Sequence, residues 1–220
     1  VCVGHQSEIS TVGQYVTATI GDEPIVILRD RQKRIRAFSN ICRHRGMTLV
    51  DGKGKASLLT CPYHAWSYQL DGQLFKAPYM DAVEGFDPTL CALPEFKLEV
   101  WLGFIFVNIS GVAAPLDPQL ADVEPFLKNY HAEDRHSTQT WYEEWQTNWK
   151  ALVENFMEGY HLSVTHATTL DHITPTELCE KLASGEGFTA YRSNYRPSSP
   201  QRLPFPADLT PKEQRSSVLV

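Results

Sequence analysis

The chain has 220 residues, 42% of them hydrophobic, which is enough apolar material for a buried core and more length than one average domain needs. Its formal net charge of −6 excludes a strongly basic protein of the kind that binds nucleic acid or anionic membranes. No run of eighteen apolar residues occurs, no signal peptide opens the chain, and the five cysteines follow no disulfide spacing, so we expect a cytoplasmic protein without a membrane span.

The first 111 residues are predicted to be all-β. β-branched and aromatic residues run from 14 to 20, from 24 to 28 and from 35 to 38, between Gly and Asp breaks, as in short strands joined by turns. The apolar run from 100 to 109 predicts one further, buried strand.

Two short segments within this region each pair one cysteine with one histidine. They are Cys42-Arg43-His44 and, after sixteen intervening residues, Cys61-Pro62-Tyr63-His64. Gly-containing turn signals flank the second segment and predict that both lie at the tips of hairpin-like loops. Two thiolates and two imidazoles divide naturally over two irons, the cysteines on one and the histidines on the other. The spacing therefore predicts a two-iron, two-sulfur cluster.

Two alternatives compete with the cluster. A zinc module of two cysteines and two histidines normally groups its cysteines in one half and its histidines in the other, whereas here the residue types alternate. The second alternative is that the two cysteines are buried free thiols and the two histidines are surface residues. It requires all four residues to fall at this spacing by coincidence. The remaining cysteines, Cys2, Cys91 and Cys179, are best interpreted as small core or surface thiols.

A second unit is expected to follow from residue 112 to residue 220. Pro115, Pro118 and Pro125 punctuate the connection, and a short helix is expected around 123–130. Residues 137–145 have strand-like composition, and a Pro/Ser-rich loop occupies 197–206.

Both ends of the chain look cut, because it begins with Val1 and ends in what resembles the start of an apolar strand at 216–220. We therefore expect the second domain to be incomplete. The two predicted domains are residues 1–111 and 112–220.

A helix starting after Asn148 carries the second group of candidate metal ligands. Glu154, Glu158 and His161 are predicted to share its polar face, and His166 follows five residues later. The opposite face is apolar at a spacing of three and four residues, at Trp149, Leu152, Val153, Phe156 and Tyr160. Two imidazoles and one carboxylate are the donor set of non-haem Fe(II) oxygenases. On these residues alone, however, an ordinary core or surface histidine pair remains the better interpretation.

The two groups together resemble a known family. Residues 29–74 look like a Rieske domain, with Cys42-Arg43-His44-Arg45-Gly46 and Cys61-Pro62-Tyr63-His64-Ala65-Trp66 as the matching segments, although such domains often have glycine in place of Ala65. Asn155-Phe156-Met157-Glu158-Gly159-Tyr160-His161 and His166 follow about a hundred residues later. Residues 12–166 as a whole resemble the oxygenase (alpha) subunit of Rieske non-haem iron oxygenases.

The resemblance implies an α+β fold class, with an all-β Rieske domain followed by an incomplete α+β catalytic domain that binds a mononuclear iron. One 2Fe-2S Rieske cluster would be bound by Cys42, His44, Cys61 and His64. Its two neutral imidazoles place the potential of such a cluster at about −150 to +300 mV, against about −400 mV for an all-cysteine plant-type cluster.

In the same family, the histidines that match His161 and His166 bind one non-haem Fe(II). The residue that matches Glu158 links this iron site to a Rieske histidine of a neighbouring subunit, which implies a homotrimer. The third iron ligand is a carboxylate expected about a hundred residues further on, beyond Val220. Asp171 has no ligand role by this resemblance and is expected to be an ordinary loop residue.

The implied function is that of a terminal oxygenase, which uses dioxygen and electrons from NAD(P)H delivered by a flavin or iron-sulfur reductase or a ferredoxin. The segment Asn-Phe-x-Glu-x-Tyr-His is more similar to the branch that acts on choline, betaine or carnitine, so N-demethylation or hydroxylation of a methylated amine is preferred. Hydroxylation of an aromatic ring is the first alternative. A Rieske electron-transfer protein without oxygenase activity and a zinc-bearing structural protein are the others.

Overall fold

The structure is a computed structural model that describes residues 1–139, 141, 143–182, 184–185, 187–198 and 207–219. The described residues form two compact units. The first consists of Val1–Ala114 with Glu133–Thr138, and the second consists of Pro115–Ala132 with Gln139–Val220. None of the described helices is long and apolar enough to cross a bilayer.

The first unit is built from short antiparallel strands. They are β1 Cys2–His5, β2 Gln14–Ile20, β3 Glu23–Arg29, β4 Ile35–Ser39, β5 Lys53–Lys55, β6 Leu59–Thr60, β7 Ser67–Tyr68, β8 Leu74–Lys76, β9 Glu95–Trp101 and β10 Phe104–Asn108. Seven of them form one sheet in the order β1-β10-β9-β4-β3-β2-β5, and β6-β7-β8 form a second, three-stranded sheet. Two 3₁₀ turns, Gln6–Ile9 and Pro88–Cys91, complete the unit, so the all-β prediction is confirmed for the described residues.

The predicted single strand at 100–109 is wrong. The structure divides this run into β9 and β10, which pair with Trp101 opposite Phe104. Leu102 and Gly103 form the connection, with φ angles of 47° and 83°. A two-residue turn with positive φ at both positions matches the right-handed twist of a hairpin. Gly103 was the sequence signal for this break, and the continuous apolar character of the run concealed it.

Strand β3 is buried on both faces because its side chains alternate between two apolar clusters. Ile25 and Ile27 belong to one cluster, and Val26 and Leu28 belong to the other. The cluster on the side of Val26 also contains Phe38 and Tyr68, and it continues into the predicted ligand loops with Cys42, Cys61 and Trp66. The sheet therefore supplies a rigid apolar base beneath both loops.

The described part of the second unit contains four short helices and a small sheet. The helices are α1 Leu116–Leu120, α2 Glu124–Leu127, α3 Trp149–Phe156 and α4 Leu162–Thr165, and the strands are β11 Cys179–Lys181, β12 Tyr191–Asn194 and β13 Ser216–Leu219. The strands pair antiparallel in the order β11-β12-β13. Further 3₁₀ turns are Lys128–Tyr130, Thr176–Leu178 and Glu213–Arg215, and the turn Ala132–Asp134 lies where the chain crosses between the units.

The helix expected at 123–130 is confirmed as α2 with the 3₁₀ turn that follows it, and the strand expected at 216–220 is confirmed as β13. Helix α1 occupies part of the segment that was predicted as a connection. The strand expected at 137–145 is absent from its described part, which excludes residues 140 and 142. Most of the Pro/Ser-rich segment, from 199 to 206, also lies outside the described residues.

Helix α3 begins as predicted but is shorter. The Asn148 side chain accepts a hydrogen bond of 2.9 Å from the backbone N–H of Lys150, which is the expected N-cap. The helix ends at Phe156, so only Glu154 of the predicted polar face belongs to it. The apolar face is also open to solvent, since the Trp149 residue is 68% exposed. Trp141 and Trp145 are exposed too.

Candidate metal centres

The first predicted ligand loop is closed by two backbone hydrogen bonds. The N–H of Cys42 donates to the carbonyl of Met47 at 2.8 Å, and the N–H of Gly46 donates back to the carbonyl of Cys42 at 3.0 Å. Gly46 has a φ of 70°, the left-handed conformation that glycine adopts without steric cost. His44 lies at the centre of this loop, two residues after the cysteine.

The second loop repeats the same pattern. The N–H of Cys61 donates to the carbonyl of Trp66 at 2.8 Å, and the N–H of Ala65 donates to the carbonyl of Cys61 at 3.0 Å. Ala65 has a φ of 58°, so it occupies the left-handed position that Gly46 occupies in the first loop. The glycine expected at this position in a Rieske domain is therefore replaced by a residue that adopts the same backbone at some steric cost.

The four donor groups are arranged with sulfur inside and nitrogen outside. Cys42 is 2% exposed and Cys61 is 3% exposed, whereas His44 is half-buried and His64 is exposed. The two imidazole rings lie edge to face, with 4.8 Å between their centroids. Two buried thiols and two outward imidazoles on facing loops fit a two-iron cluster whose cysteine-bound iron is the inner one.

Tyr68 connects the buried end of this group to the core. Its hydroxyl accepts a hydrogen bond of 2.9 Å from the backbone N–H of Arg43 and lies 3.3 Å from the sulfur of Cys42. Desolvation raises the pKa of Tyr68, and the neighbouring Cys42 sulfur raises it further, so the phenol keeps its proton. The hydroxyl oxygen is the acceptor in the bond with Arg43, so the hydroxyl proton remains available for donation to the Cys42 sulfur.

Aromatic side chains fix the orientation of both imidazoles. The Trp66 ring stacks on His44 with 4.8 Å between centroids and 8° between planes, and Phe86 packs edge-on against Trp66. Tyr63 stacks on His64 at 3.8 Å. Desolvation lowers the pKa of His44, and the charges of His64 and Arg45 act in the same direction. The His44 ring is therefore neutral near pH 7, the form that can bind a metal.

The second predicted group lies after helix α3 rather than on it. The backbone N–H of Met157 closes the helix by donating to the carbonyls of Val153 and Glu154. Glu158 and His161 follow in the turn between α3 and α4, so the predicted face shared with Glu154 is wrong.

Glu158 is bound to the residues that follow it. One carboxylate oxygen pairs with Nδ1 of His161, and the other accepts the backbone N–H of Tyr160. Desolvation, the largest effect, raises the pKa of Glu158, but the hydrogen bonds from His161 and Tyr160 outweigh it and hold the pKa below its usual value. The carboxylate is therefore charged at neutral pH and can fix the His161 tautomer with its proton on Nδ1, which leaves Nε2 free.

Helix α4 places the two histidines at its two ends. His161 is the N-cap and His166 is the C-cap of this four-residue helix. The rings meet edge to face with 5.2 Å between centroids, and both residues are half-buried. Two imidazoles at this separation fit the histidine pair of a mononuclear metal site. Asp171 forms an ion pair with Arg196, with 3.5 Å between their charged atoms.

Several residues around these groups were not identified from the sequence. Trp66 ends the second ligand loop and Tyr68 follows it in β7, and this closeness to His64 in the chain was the available signal. Thr176 donates a hydrogen bond of 2.8 Å to the carbonyl of Gly159, which precedes Tyr160 and His161. No sequence pattern connects positions 159 and 176, so only the fold reveals this contact.

Comparison with protein families assigns both units. Residues 1–90 match the model of the Rieske [2Fe-2S] domain, and residues 124–220 match the model of the ring hydroxylating alpha subunit (catalytic domain). The two models together imply a Rieske cluster and a mononuclear iron.

Curated relatives include two oxygenase subunits. The chain is 37% identical over 181 residues to the carnitine monooxygenase oxygenase subunit of Escherichia coli (strain K12), covering 79% of this chain and 47% of the relative. It is 37% identical over 172 residues to the glycine betaine monooxygenase oxygenase subunit of Chromohalobacter salexigens, covering 78% of this chain and 38% of the relative. The chain thus spans about half or less of the length of these relatives.

A solved structure agrees with these matches. The quaternary ammonium Rieske monooxygenase CntA in complex with substrate L-carnitine superposes with a TM-score of 0.80 and 33% sequence identity. The superposition covers 90% of this chain and 56% of that chain. The α+β fold, with a β Rieske domain followed by an α+β catalytic region, is therefore confirmed.

Proposed function

The chain belongs to the Rieske non-haem iron oxygenases, and from this membership we propose that it acts as the terminal oxygenase component of a multicomponent system. One observation carries the proposal: the same chain holds a pair of buried thiols with two outward imidazoles and, separately, two histidine rings 5.2 Å apart. An electron carrier needs only the first group. An oxygenase needs both, because electrons arriving at a cluster must reach a site that binds dioxygen.

The proposed cluster ligands are Cys42, His44, Cys61 and His64, and the proposed ligands of the mononuclear iron are His161 and His166. The buried thiols support the first assignment, and the neutral ring of His44 supports it further. When bound, the cluster stores one electron, and the ferrous iron supplies the site at which dioxygen is activated.

Glu158 is proposed to have two roles. Its carboxylate holds the proton of His161 on Nδ1 and so presents Nε2 to the iron. In an assembly it would also accept a hydrogen bond from a Rieske histidine of a neighbouring subunit, giving electrons a short path between the two metal sites. Such a head-to-tail contact suits closed cyclic symmetry, and we propose a homotrimer.

The proposed substrate is a methylated amine. The relatives at 37% identity are named for carnitine and glycine betaine, and the structure at a TM-score of 0.80 holds L-carnitine. The chemistry would be hydroxylation or N-demethylation, with electrons from NAD(P)H through a flavin or iron-sulfur reductase or a ferredoxin. Because that electron source is a cytoplasmic one, we place the protein in the cytoplasm.

Metal and sulfide analysis tests the oxygenase proposal. Anaerobically purified protein should contain about three irons and about two acid-labile sulfides per chain, whereas a carrier would contain about two of each. His166→Ala should lose about one iron and keep the Rieske optical spectrum. His172→Ala is the matched control, because His172 is an exposed histidine six residues further on, and it should keep all the iron. Two irons in the wild type would refute the proposal.

Oxygen uptake tests the substrate class. With a reductase and NADH, carnitine, betaine or choline should stimulate uptake, and the hydroxylated or demethylated product should be recovered in proportion to the oxygen consumed. Stimulation by aromatic compounds alone would replace the amine proposal with ring hydroxylation. Colourless protein without sulfide would replace both proposals with a structural zinc protein.

A further inference from the structure

One hydroxyl group bridges the backbone on the two sides of His161. The Thr176 side chain donates to the carbonyl of Gly159 at 2.8 Å and accepts from the backbone N–H of Ser163 at 3.2 Å. Gly159 lies two residues before the histidine, and Ser163 lies two residues after it. A single side chain, thirteen residues beyond Ser163, therefore closes the turn that presents His161.

Helix α4 needs this contact because of its length and its N-cap. A helix of four residues has one turn and is not stable without external contacts. Its N-cap is His161, and no side-chain capping bond is made by this ring within the described part of the chain. An N-cap side chain normally accepts the N–H of the second or third helical residue. Here the second helical residue is Ser163, and its N–H is accepted by Thr176 instead.

Because Thr176 accepts the Ser163 N–H, the imidazole of His161 is not used as the helix cap. If the His161 ring accepted the Ser163 N–H itself, Nδ1 could not carry the proton that pairs with Glu158. With Thr176 as the cap, both nitrogens of the ring are free for the Glu158 contact and for a metal. The buried side chain of Leu162 is a further anchor of the same turn.

The Gly159 side of the turn is confined as well. A Cβ atom at this position would lie 2.4 Å from the Tyr191 hydroxyl and 2.5 Å from the Cys179 sulfur. The Gly159 backbone thus lies directly against the sheet formed by β11 and β12, while its carbonyl accepts hydrogen bonds from Thr176 and from the Leu162 N–H. The turn is therefore held by Thr176 on one side and by the sheet on the other. The Gly159 backbone has little room to shift when the Thr176 hydrogen bonds are lost.

We infer that Thr176 is a positioning residue of the mononuclear iron site: it caps helix α4 in place of His161 and thereby fixes the direction of the His161 ring. The inference rests on the proposed function, because it requires that His161 bind the metal. Residues that orient a metal ligand typically change metal affinity by about 10- to 100-fold when they are removed. The same fold-change is expected here.

The test compares two substitutions of Thr176 in the holoprotein. Thr176→Val keeps the shape and removes both hydrogen bonds, whereas Thr176→Ser keeps the hydroxyl and removes only the methyl group. Affinity for Fe(II) at the mononuclear site is measured anaerobically by competition with a chromophoric chelator, and the Rieske absorption in the same sample reports the other centre. Thr176→Val should weaken Fe(II) binding at least about 10-fold, and Thr176→Ser should bind within about 3-fold of wild type.

A matched control separates positioning from general stability. Thr210 likewise donates one bond and accepts one elsewhere in the second unit, donating to the Glu213 carboxylate at 2.6 Å and accepting the Glu213 N–H at 3.3 Å. Thr210→Val should lower the melting temperature without changing Fe(II) affinity. Wild-type Fe(II) affinity in Thr176→Val, or an equal loss in Thr176→Ser, would overturn the inference.

His161→Ala distinguishes this outcome from failure of the proposed function. If His161→Ala retains the third iron, then the histidine is not a ligand and the proposed site itself is wrong. If His161→Ala loses that iron while Thr176→Val keeps wild-type affinity, only the role of Thr176 is refuted.

Discussion

The phenol oxygen of Tyr68 lies 3.3 Å from the sulfur of Cys42, and it also accepts the backbone N–H of Arg43 at 2.9 Å. The hydroxyl proton is therefore directed to the sulfur. A reduced cluster carries one more negative charge and accepts this hydrogen bond more strongly than an oxidised one, so the bond favours reduction. The side chain is fully buried, which excludes competition from water.

Tyr68→Phe should lower the reduction potential of the Rieske cluster by on the order of 50 mV, since the lost bond differs by about 1 kcal/mol between the two redox states. Spectroelectrochemical titration measures the shift. Tyr15→Phe is the control, because Tyr15 packs against the same apolar cluster, and its potential should equal that of the wild type. A Tyr68→Phe potential that is unchanged or higher would contradict a donated hydrogen bond.

Glu158→Gln should leave both metals bound and slow the transfer of electrons from the cluster by about 10-fold or more. The amide preserves the shape of the side chain, but it removes the charge that pairs with His161 and would pair with a neighbouring Rieske histidine. Reoxidation of the reduced cluster by dioxygen, followed optically in the presence of substrate, measures this step. Glu154→Gln is the matched control, since Glu154 lies on helix α3, and it should reoxidise at the wild-type rate.

The pH dependence of the same step follows from the lowered pKa of Glu158. Desolvation raises this pKa, yet the hydrogen bonds from His161 and Tyr160 outweigh it, so the carboxylate stays charged to below the ordinary glutamate value of 4.5. The contribution of the charged Glu158 carboxylate to electron transfer is therefore present above pH 4.5 and is lost as the pH falls through the lowered pKa of the folded state. Wild-type protein should show no acid limb from this group between pH 5 and 8, and Glu158→Gln should be slow across that range.

The ligand loops could be predicted from the sequence because their chemistry is local. Cysteine and histidine positions within six residues determine each loop, and the structure repeats the same two backbone hydrogen bonds in both. The strands beneath the loops were also predictable, since β2, β3 and β4 follow the β-branched runs closely. Gly103 shows the limit of this approach, because an apolar run on both sides concealed a hairpin turn.

The second site was less predictable because it depends on contacts between distant segments. The apolar spacing favoured a helix that continued to Tyr160, but the structure ends it at Phe156 and begins a new turn. Thr176 follows His166 in the chain and bonds back to that turn, and no periodic sequence pattern predicts such a contact. The histidine pair was found through the family resemblance rather than through the helix geometry.

Asp30 should be the most sensitive charged position of the first unit. It is fully buried, its carboxylate accepts the backbone N–H groups of Gln32 and Arg34 at 2.9 Å, and it pairs with the Arg34 side chain at 3.0 Å. Asp30→Ala should reduce the free energy of unfolding by about 3 kcal/mol, because the two backbone N–H groups and the Arg34 side chain lose a fully buried, charged acceptor. Asp30→Asn keeps one acceptor oxygen and should reduce the free energy of unfolding by less than Asp30→Ala does.

Urea unfolding measures both variants at Asp30. Asp71→Ala is the control, because Asp71 accepts the N–H of Gln73 in a similar turn that is open to solvent, and it should cost less than about 1 kcal/mol. A cost for Asp30→Ala no larger than that of the control would show that the bonds accepted by the buried Asp30 carboxylate contribute nothing to stability.

Gly46 and Ala65, the left-handed residues of the two ligand loops, should respond differently to substitution. Gly46→Ala should cost about 1 kcal/mol of unfolding free energy, because φ is 70° and an added Cβ meets no atom within 4 Å among the described residues, so the cost is that of the backbone alone. Ala65→Gly removes the same strain at a φ of 58° but gives the unfolded chain more freedom, and these effects offset each other to within about 1 kcal/mol. Ala65→Val places a β-branched residue at positive φ and should cost more than either. Chemical unfolding of the three variants with the cluster bound measures this order, and a Val variant as stable as the Gly variant would contradict it.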